Sequence, residues 1–239
     1  GGVRYHRGTI LEYEYLVCLL LEVQPDIVVH LASYGMSGAP MLDHGMCRNV
    51  NVLGSGLLVA AMKASSVQNL IYISSPNVCY GGQRIENGDE SMDYFNLNSH
   101  TDAYGPSKAI AEQAVLNENG KDGLKTLSIR PAAIYGVGEQ RHFPRIVSHI
   151  DRGIFQFRIG AATVDWVHVS NLTQGIMLAM EKMLTSSSKT APCGEVYYLS
   201  DGTPIDNFEF LRNLCEARDN PYPSIVLPVT VALALGWFF

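Results

Sequence analysis

The 239-residue sequence predicts an α/β fold, a doubly wound parallel sheet with helices on both faces, on three observations. Short apolar runs alternate with longer stretches of helical periodicity through the first half of the chain. Two of the runs, "DIVVHLAS" and "NLIYISS", are continuous and rich in Val and Ile, as strands buried on both faces are. The candidate strands end in "HLAS", "ISSPN" and "RPAAIYG", small and hydroxylated residues at the carboxyl ends, where open sheets of this kind hold their ligands.

Taken in order, "VRYH" from Val3 is a candidate strand. "ILEYEYLVCLLLEV" carries apolar residues at helical spacing, and Pro25 ends it. "DIVVHLAS" is then a strand, "MCRNVNVLGSGLLVAAMKASS" a long helix, and "NLIYISS" a second buried strand. Asn77 to Asn98 reads as a turn-rich loop. "TDAYGPSKAIAE" opens the next helix, and "LKTLSIRP" is a strand closed by Pro131. After Gly136 the alternation breaks, so residues 1–136 are expected to form the sheet domain and 137–239 a smaller region. Within the latter, "VDWVHVSNLTQGIMLAMEKML" predicts a strand–helix return near 164–184.

Hydrophobic residues make up 47% and charged residues 17%, a globular composition. The net charge of −6, with basic residues scattered, argues against nucleic acid as a partner. Five widely spaced cysteines without a CxxC read as reduced thiols facing the cytosol. His30, His142, His149 and His168 lack HxxxH or HxH spacing, so no metal site is expected. The sequon at Asn171 reads as a polar helix start. No leader is legible at the start of the sequence. The segment from Val229 is apolar to Phe239 and too short as it stands to span a bilayer. It suits a buried helix, an interfacial segment or part of a membrane helix.

Tyr104 and Lys108 are i,i+4, so a helix puts them on one face. Random placement of 12 tyrosines and 6 lysines in 239 residues gives about 0.3 such pairs, so the pair alone identifies nothing. Its chemistry is coherent, however. A free phenol is too weak an acid to serve as a base at neutral pH, and a nearby ammonium favours its phenolate. The pair therefore suits moving a proton on or off an alcohol oxygen. A second group must fix that oxygen, and Ser74 or Ser75, at the end of a predicted strand, can do so. Asn51 is a polar residue in a buried helix; its amide can hold a relay water or simply bond to backbone.

The strings "HLAS", "NVxGS", "YISSxxV", "YGPSK…AE" and "RPAAIYGVGE" occur in the order and approximate spacing of the extended short-chain dehydrogenases/reductases. More narrowly, "ASYGMSG", "ENGDES", "GEQRHFPRIVS", "WVHVSNL" and "SDGTPIDNFEF" resemble the 3β-hydroxysteroid dehydrogenase/isomerase branch, and within it the 42E-type subfamily. The resemblance runs from Val3 to about Pro228. It implies that residues 1–136 are a partial Rossmann-like NAD(P)-binding domain and the remainder a substrate-binding region. It implies Tyr104 as proton donor and acceptor, Lys108 as holder of the nicotinamide ribose, Ser75 as orienter of the substrate oxygen with Ser74 as the fallback, and Asn51 in the proton relay. Leu31, Ala32 and Ser33 would lie along the dinucleotide, and Pro131, Ala132, Ala133 and Ile134 near the nicotinamide amide. NAD or NADP is the implied cofactor and a lipophilic, steroid-like alcohol the implied substrate. The implied setting is steroid biosynthesis, in the cytoplasm or on the cytosolic face of an intracellular membrane. Membrane association through the apolar C-terminal segment and pairing into a homodimer are further expectations.

Three departures bear on that resemblance. The family's GxxGxxG turn is absent and would precede Gly1, on a first strand that with the second is missing here. The residue that separates NAD from NADP is missing with it. The usual Gly-Asp after the third strand reads Gly8-Thr9. The strand at Ile27 is then expected at an exposed edge, and the isolated chain is expected neither to bind dinucleotide tightly nor to turn over. Ser75 lacks a GxSxG elbow, which argues against a serine hydrolase. A sugar-nucleotide epimerase, sharing the Tyr/Lys/Ser set, and a non-catalytic dinucleotide-sensing scaffold are the competing readings.

Overall fold

The protein is described by a computed structural model covering residues 2–140, 142–186 and 191–236. Its elements in chain order are α1 (Tyr13–Val23), β1 (Val28–His30), α2 (His44–Cys47), a π-helical segment (Arg48–Leu53), α3 (Gly54–Ala64), β2 (Asn69–Ile73), α4 (Tyr104–Leu116) and β3 (Lys125–Pro131). Then follow β4 (Ala133–Tyr135), α5 (Phe143–Asp151), β5 (Phe157–Ile159), β6 (Thr163–Val164), β7 (Trp166–His168), α6 (Val169–Thr185) and β8 (Val196–Leu199). The last are β9 (Ile205–Asp206), α7 (Arg212–Glu216), β10 (Ile225–Leu227) and α8 (Val229–Gly236). The chain divides into two compact units, Gly1–Ala132 with Leu172–Leu199, and Ala133–Asn171 with Ser200–Phe239.

The first unit holds a parallel four-stranded sheet in the order β1-β2-β3-β8. Of the two continuous apolar runs, "NLIYISS" becomes the inner strand β2 and "DIVVHLAS" the edge strand β1, the edge position expected for it. Leu70, Ile71 and Tyr72 of β2 and Leu127 and Ile129 of β3 are all buried. Helix α1 stops where the sequence demands. Pro25 supplies no N–H and disfavours helical geometry before it, and Gln24 turns left-handed at φ 44°. The Gln24 side chain then donates to the Leu20 and Ser65 carbonyls, joining the ends of α1 and α3. Leu16 and Leu20 of α1, Leu58 and Met62 of α3, Leu70 of β2 and Val115 of α4 form one apolar core.

Two expectations differ from the structure. Residues 3–6 form no strand: Val3 and Tyr5 are exposed, and a strand needs a hydrogen-bonded neighbour, which none of the described strands provides. The segment Val196–Leu199, placed with the smaller region on the sequence, is the fourth strand of the main sheet, pairing Ser128 with Val196 through Pro131 with Leu199. Residues 172–199 accordingly fall in the first unit rather than after a boundary at 136.

The second unit carries three two-stranded pairs, β4 with β7, β5 with β10, and β6 with β9. Asp201 organises it: its carboxylate accepts from the Tyr135 hydroxyl at 2.9 Å, the His168 N–H at 3.1 Å and the Asn171 amide at 2.8 Å. Asn171 is thus held inside the start of α6. Trp166 and Phe210 stack at 3.9 Å between ring centres, with Tyr135 edge-on to both. No described helix is long and apolar enough to cross a membrane. The apolar segment from Val229 begins as α8, and Trp237, Phe238 and Phe239 lie outside the described residues.

Candidate active site

The site is assembled at the carboxyl ends of β1 and β2 by the first turns of α4, all within the first unit. Helix α4 begins at Tyr104 because the Asp102 carboxylate accepts the Gly105 N–H at 2.7 Å and Pro106 fits the first turn, where its missing N–H is not needed. Gly105 allows that turn to close against the neighbouring loop. A Cβ there would stand 2.6 Å from His100 Nδ1 and 3.2 Å from the Asn77 carbonyl oxygen. Tyr104 is 3% exposed and packs with Cys47 and Ala103, against Tyr34.

One turn on, Lys108 is 1% exposed. Its Nζ donates to the Ile73 carbonyl oxygen at 2.6 Å and lies 4.1 Å from the centre of the Tyr72 ring. Burial pushes its pKa down to about 7, against the partial support of the Glu112 carboxylate. The sheet thus presents a strand-end carbonyl and an aromatic face to an ammonium that water no longer solvates.

Asn51 lies in the π-helical segment, a geometry with one extra residue per turn that recurs at functional positions. Its amide is fully engaged. Oδ1 accepts the Tyr34 N–H at 2.7 Å, and Nδ2 donates to the Tyr34 carbonyl at 2.9 Å and to Ser107 Oγ at 2.8 Å. Ser107 Oγ donates in turn to the Tyr104 carbonyl at 2.8 Å. The side chain therefore clamps the loop after β1 to the turn that carries Tyr104. Gly35, in that loop at φ 87°, leaves room for Cys47 Sγ, which a Cβ would meet at 2.4 Å.

A second chain of bonds runs beneath. Ser55 Oγ donates to the Asn51 carbonyl at 2.6 Å, which frees it to accept from His30 Nε2–H at 2.9 Å. His30 is buried beside the Tyr72 ring, and burial, followed by the Lys108 charge, lowers its pKa to about 4. It is a neutral core histidine held in one tautomer.

Both candidate serines follow β2. Ser75 caps the short 3₁₀ turn Pro76–Val78, its Oγ accepting the Asn77 N–H at 3.2 Å. Ser74 Oγ is buried and makes no hydrogen bond of ordinary geometry among the described residues. Leu31 and Ala32, just past β1, are exposed, and Ser33 is half-buried. Pro131 ends β3, and the Ala132 N–H donates to the Leu199 carbonyl at 2.8 Å. Ala133 and Ile134 belong to β4 of the second unit. The structure thus gathers Tyr104, Lys108, Asn51, Ser74 and Ser75 in one unit and leaves Ala133 and Ile134 to the other.

Two charged residues that sequence reasoning did not single out lie under this site. Glu112, 0% exposed, receives Arg130 Nη2 at 2.5 Å, Ser128 Oγ at 2.7 Å and the Tyr94 hydroxyl at 2.7 Å. Burial alone would raise its pKa; the Arg130 hydrogen bonds and charge instead hold it below the usual carboxylate value. The available signal was an arginine in an otherwise apolar strand, "LSIRP", facing a glutamate four residues after Lys108.

A parallel-sheet α/β unit with a Tyr-x-x-x-Lys helix at its strand ends defines the architectural class. The particular family follows from comparison. The family described as "3-beta hydroxysteroid dehydrogenase/isomerase family" matches residues 2–229, and the chain belongs to that family. Short-chain dehydrogenase/reductase family 42E member 1 of Macaca fascicularis is 42% identical over 244 residues, covering 99% of this chain and 62% of the relative. The chain thus spans about three fifths of that relative's length. A 3-beta-hydroxysteroid dehydrogenase of Mycolicibacterium neoaurum is 35% identical over 206 residues, covering 84% of this chain and 55% of the relative. Among solved structures, RMD from Pseudomonas aeruginosa complexed with NADPH superposes with a TM-score of 0.73 at 22% identity, covering 93% of this chain and 74% of that one. The last likeness establishes the Rossmann-type fold.

Proposed function

We propose that this chain carries the proton-transfer part of an NAD(P)-dependent oxidoreductase acting on the CH–OH group of a hydroxysteroid-like substrate. The observation that carries the reading is Lys108, a buried ammonium one helical turn from Tyr104 at the ends of β1 and β2. Family membership supplies the reaction class. The residues suit the nicotinamide half of a dinucleotide. Lys108 spends one N–H on Ile73 and keeps two for a ribose, and Leu31, Ala32 and Ser33 line the loop after β1. No GxxGxxG occurs in this sequence for the phosphates. When bound, the dinucleotide supplies the hydride acceptor.

The chain's own work is to hold the alcohol and manage its proton. Ser75, with Ser74 as the alternative, orients the substrate oxygen. Tyr104 receives the proton as hydride leaves the carbon, and the Lys108 charge favours its phenolate. Asn51 fixes the backbone of Tyr104 through Ser107 rather than carrying the proton by its own amide.

The test is NAD(P)-linked oxidation of 3β-hydroxysteroids by the natural full-length protein, with Tyr104→Phe beside it. The expected loss is about 10²–10⁴-fold in turnover with the fold unchanged. Turnover equal to that of the natural protein would remove Tyr104 from the chemistry. Activity on a nucleotide sugar in place of hydroxysteroids would overturn the substrate class.

A further inference from the structure

Lys108 is surrounded by groups that solvate a cation weakly. Strand β2 offers the Ile73 carbonyl and the Tyr72 ring, β1 offers the neutral His30, and its own helix offers Tyr104 and Glu112. A carbonyl dipole and a ring face do not replace the water that an ammonium loses on full burial. Of these groups, Glu112 is the anion that acts on Lys108. It lies four residues further along α4, about 6 Å along the axis.

The carboxylate is fixed from the far side. Arg130 Nε reaches its two oxygens at 3.1 and 3.2 Å, and Ser128 and Tyr94 fill the remaining acceptor positions. With the Arg130 guanidinium donating to both oxygens, Glu112 is held in its ionised form. Arg130 Nη1 in turn reaches Cys79 Sγ at 3.3 Å and the Tyr198 hydroxyl at 3.2 Å. The ammonium and the carboxylate thus sit one turn apart on α4, and the guanidinium that pairs with the carboxylate comes from β3.

We propose that Glu112 is a positioning residue for the Tyr104/Lys108 pair, its buried carboxylate, anchored by Arg130, holding Lys108 as an ammonium within the core. The proposal rests on the role given to Lys108 above. It assigns to Glu112 and Arg130 a function distinct from packing. Replacing both by apolar residues of similar size would keep the fold and lose the charge on Lys108.

The experiment is a carbon-13 NMR titration of the lysine side chains in this chain, with the Lys108 signal identified by its absence in Lys108→Arg. The variants are Glu112→Gln and the pair Glu112→Leu with Arg130→Met, the second leaving no unpaired guanidinium if the first fails to fold. The expected result is a fall in the Lys108 midpoint of about one unit or more in Glu112→Gln, and a smaller fall in the double variant, which also removes the Arg130 charge. A midpoint that stays within about 0.3 unit of the original in a folded variant would overturn the proposal, since the effect of an opposing charge at this range is larger. The titration needs neither substrate nor cofactor, so a failure to oxidise hydroxysteroids would count against the proposed function alone. In an active protein the same variants should shift the high-pH limb of the rate profile downward, about tenfold in rate per unit on that limb.

Discussion

Asn51→Ala separates two roles that one amide could play. The side chain is 1% exposed and makes three hydrogen bonds, two to the backbone of Tyr34 and one to Ser107. Truncation leaves the Tyr34 N–H, the Tyr34 carbonyl and Ser107 Oγ without that partner. A fully buried unsatisfied group costs about 1–3 kcal/mol. Here the sum is discounted, because Tyr34 is half-buried and Ser107 keeps its bond to the Tyr104 carbonyl. The expected loss is about 3 kcal/mol, or roughly 6–12 °C in the melting temperature for a chain of this size. Asn51→Asp should be at least as harmful, since it turns a carboxylate oxygen toward the Tyr34 carbonyl and removes both donors. Thermal unfolding followed by circular dichroism reads the loss directly. A shift below about 2 °C together with a large fall in turnover would refute the clamp and return the amide to a proton relay.

Acid should weaken the fold through His30. Its folded pKa, about 4, lies below the unfolded value of 6.5, so the unfolded chain binds the proton first. The stability it contributes is full above pH 6.5 and is lost as pH falls toward 4, by about 3 kcal/mol at most. His30→Gln should flatten that acid slope, and parallel melting curves for the two proteins across this range would speak against it. Gly105→Ala should cost about 1–3 kcal/mol in urea unfolding, because the new Cβ meets the His100 ring and the Asn77 carbonyl while Asp102 pins the helix start. A cost under about 0.5 kcal/mol would mean that the loop carrying His100 yields.

What could be read in advance follows the reach of each physical signal. The strands at Asn69 and Lys125 were legible because burial on both faces writes itself into consecutive residues, and the edge strand at Val28 by its Val- and Ile-rich run. Strand β8 was not legible as a partner of β3, since pairing Ser128 with Val196, 68 positions on, leaves no local period. The stretch at Val3 had a strand's composition and no neighbour to pair with. The Tyr104/Lys108 spacing was visible, whereas the engagement of Asn51 was not. That depends on the π-helical turn, whose extra residue alters no hydrophobic pattern strongly enough to notice. Glu112 and Arg130 were each in view as letters. Their mutual burial arises only when α4 is laid across β3.

The π-helical segment makes this part of the protein sensitive to length as well as to composition. Removing any one residue between Arg48 and Leu53 would let the segment relax into an ordinary α-helix with every backbone hydrogen bond still made. The wider turn is what absorbs the extra residue, so the helix before it would keep its facing relative to α3, while the side chains within the segment would be spaced anew. Asn51, inside the segment, meets Tyr34 and Ser107 together only on that wider turn, and a new spacing would part its amide from one of them. An insertion or deletion that looks harmless to the helix would thus uncouple it from the chemistry, while many substitutions at its exposed positions, such as Leu53, would not.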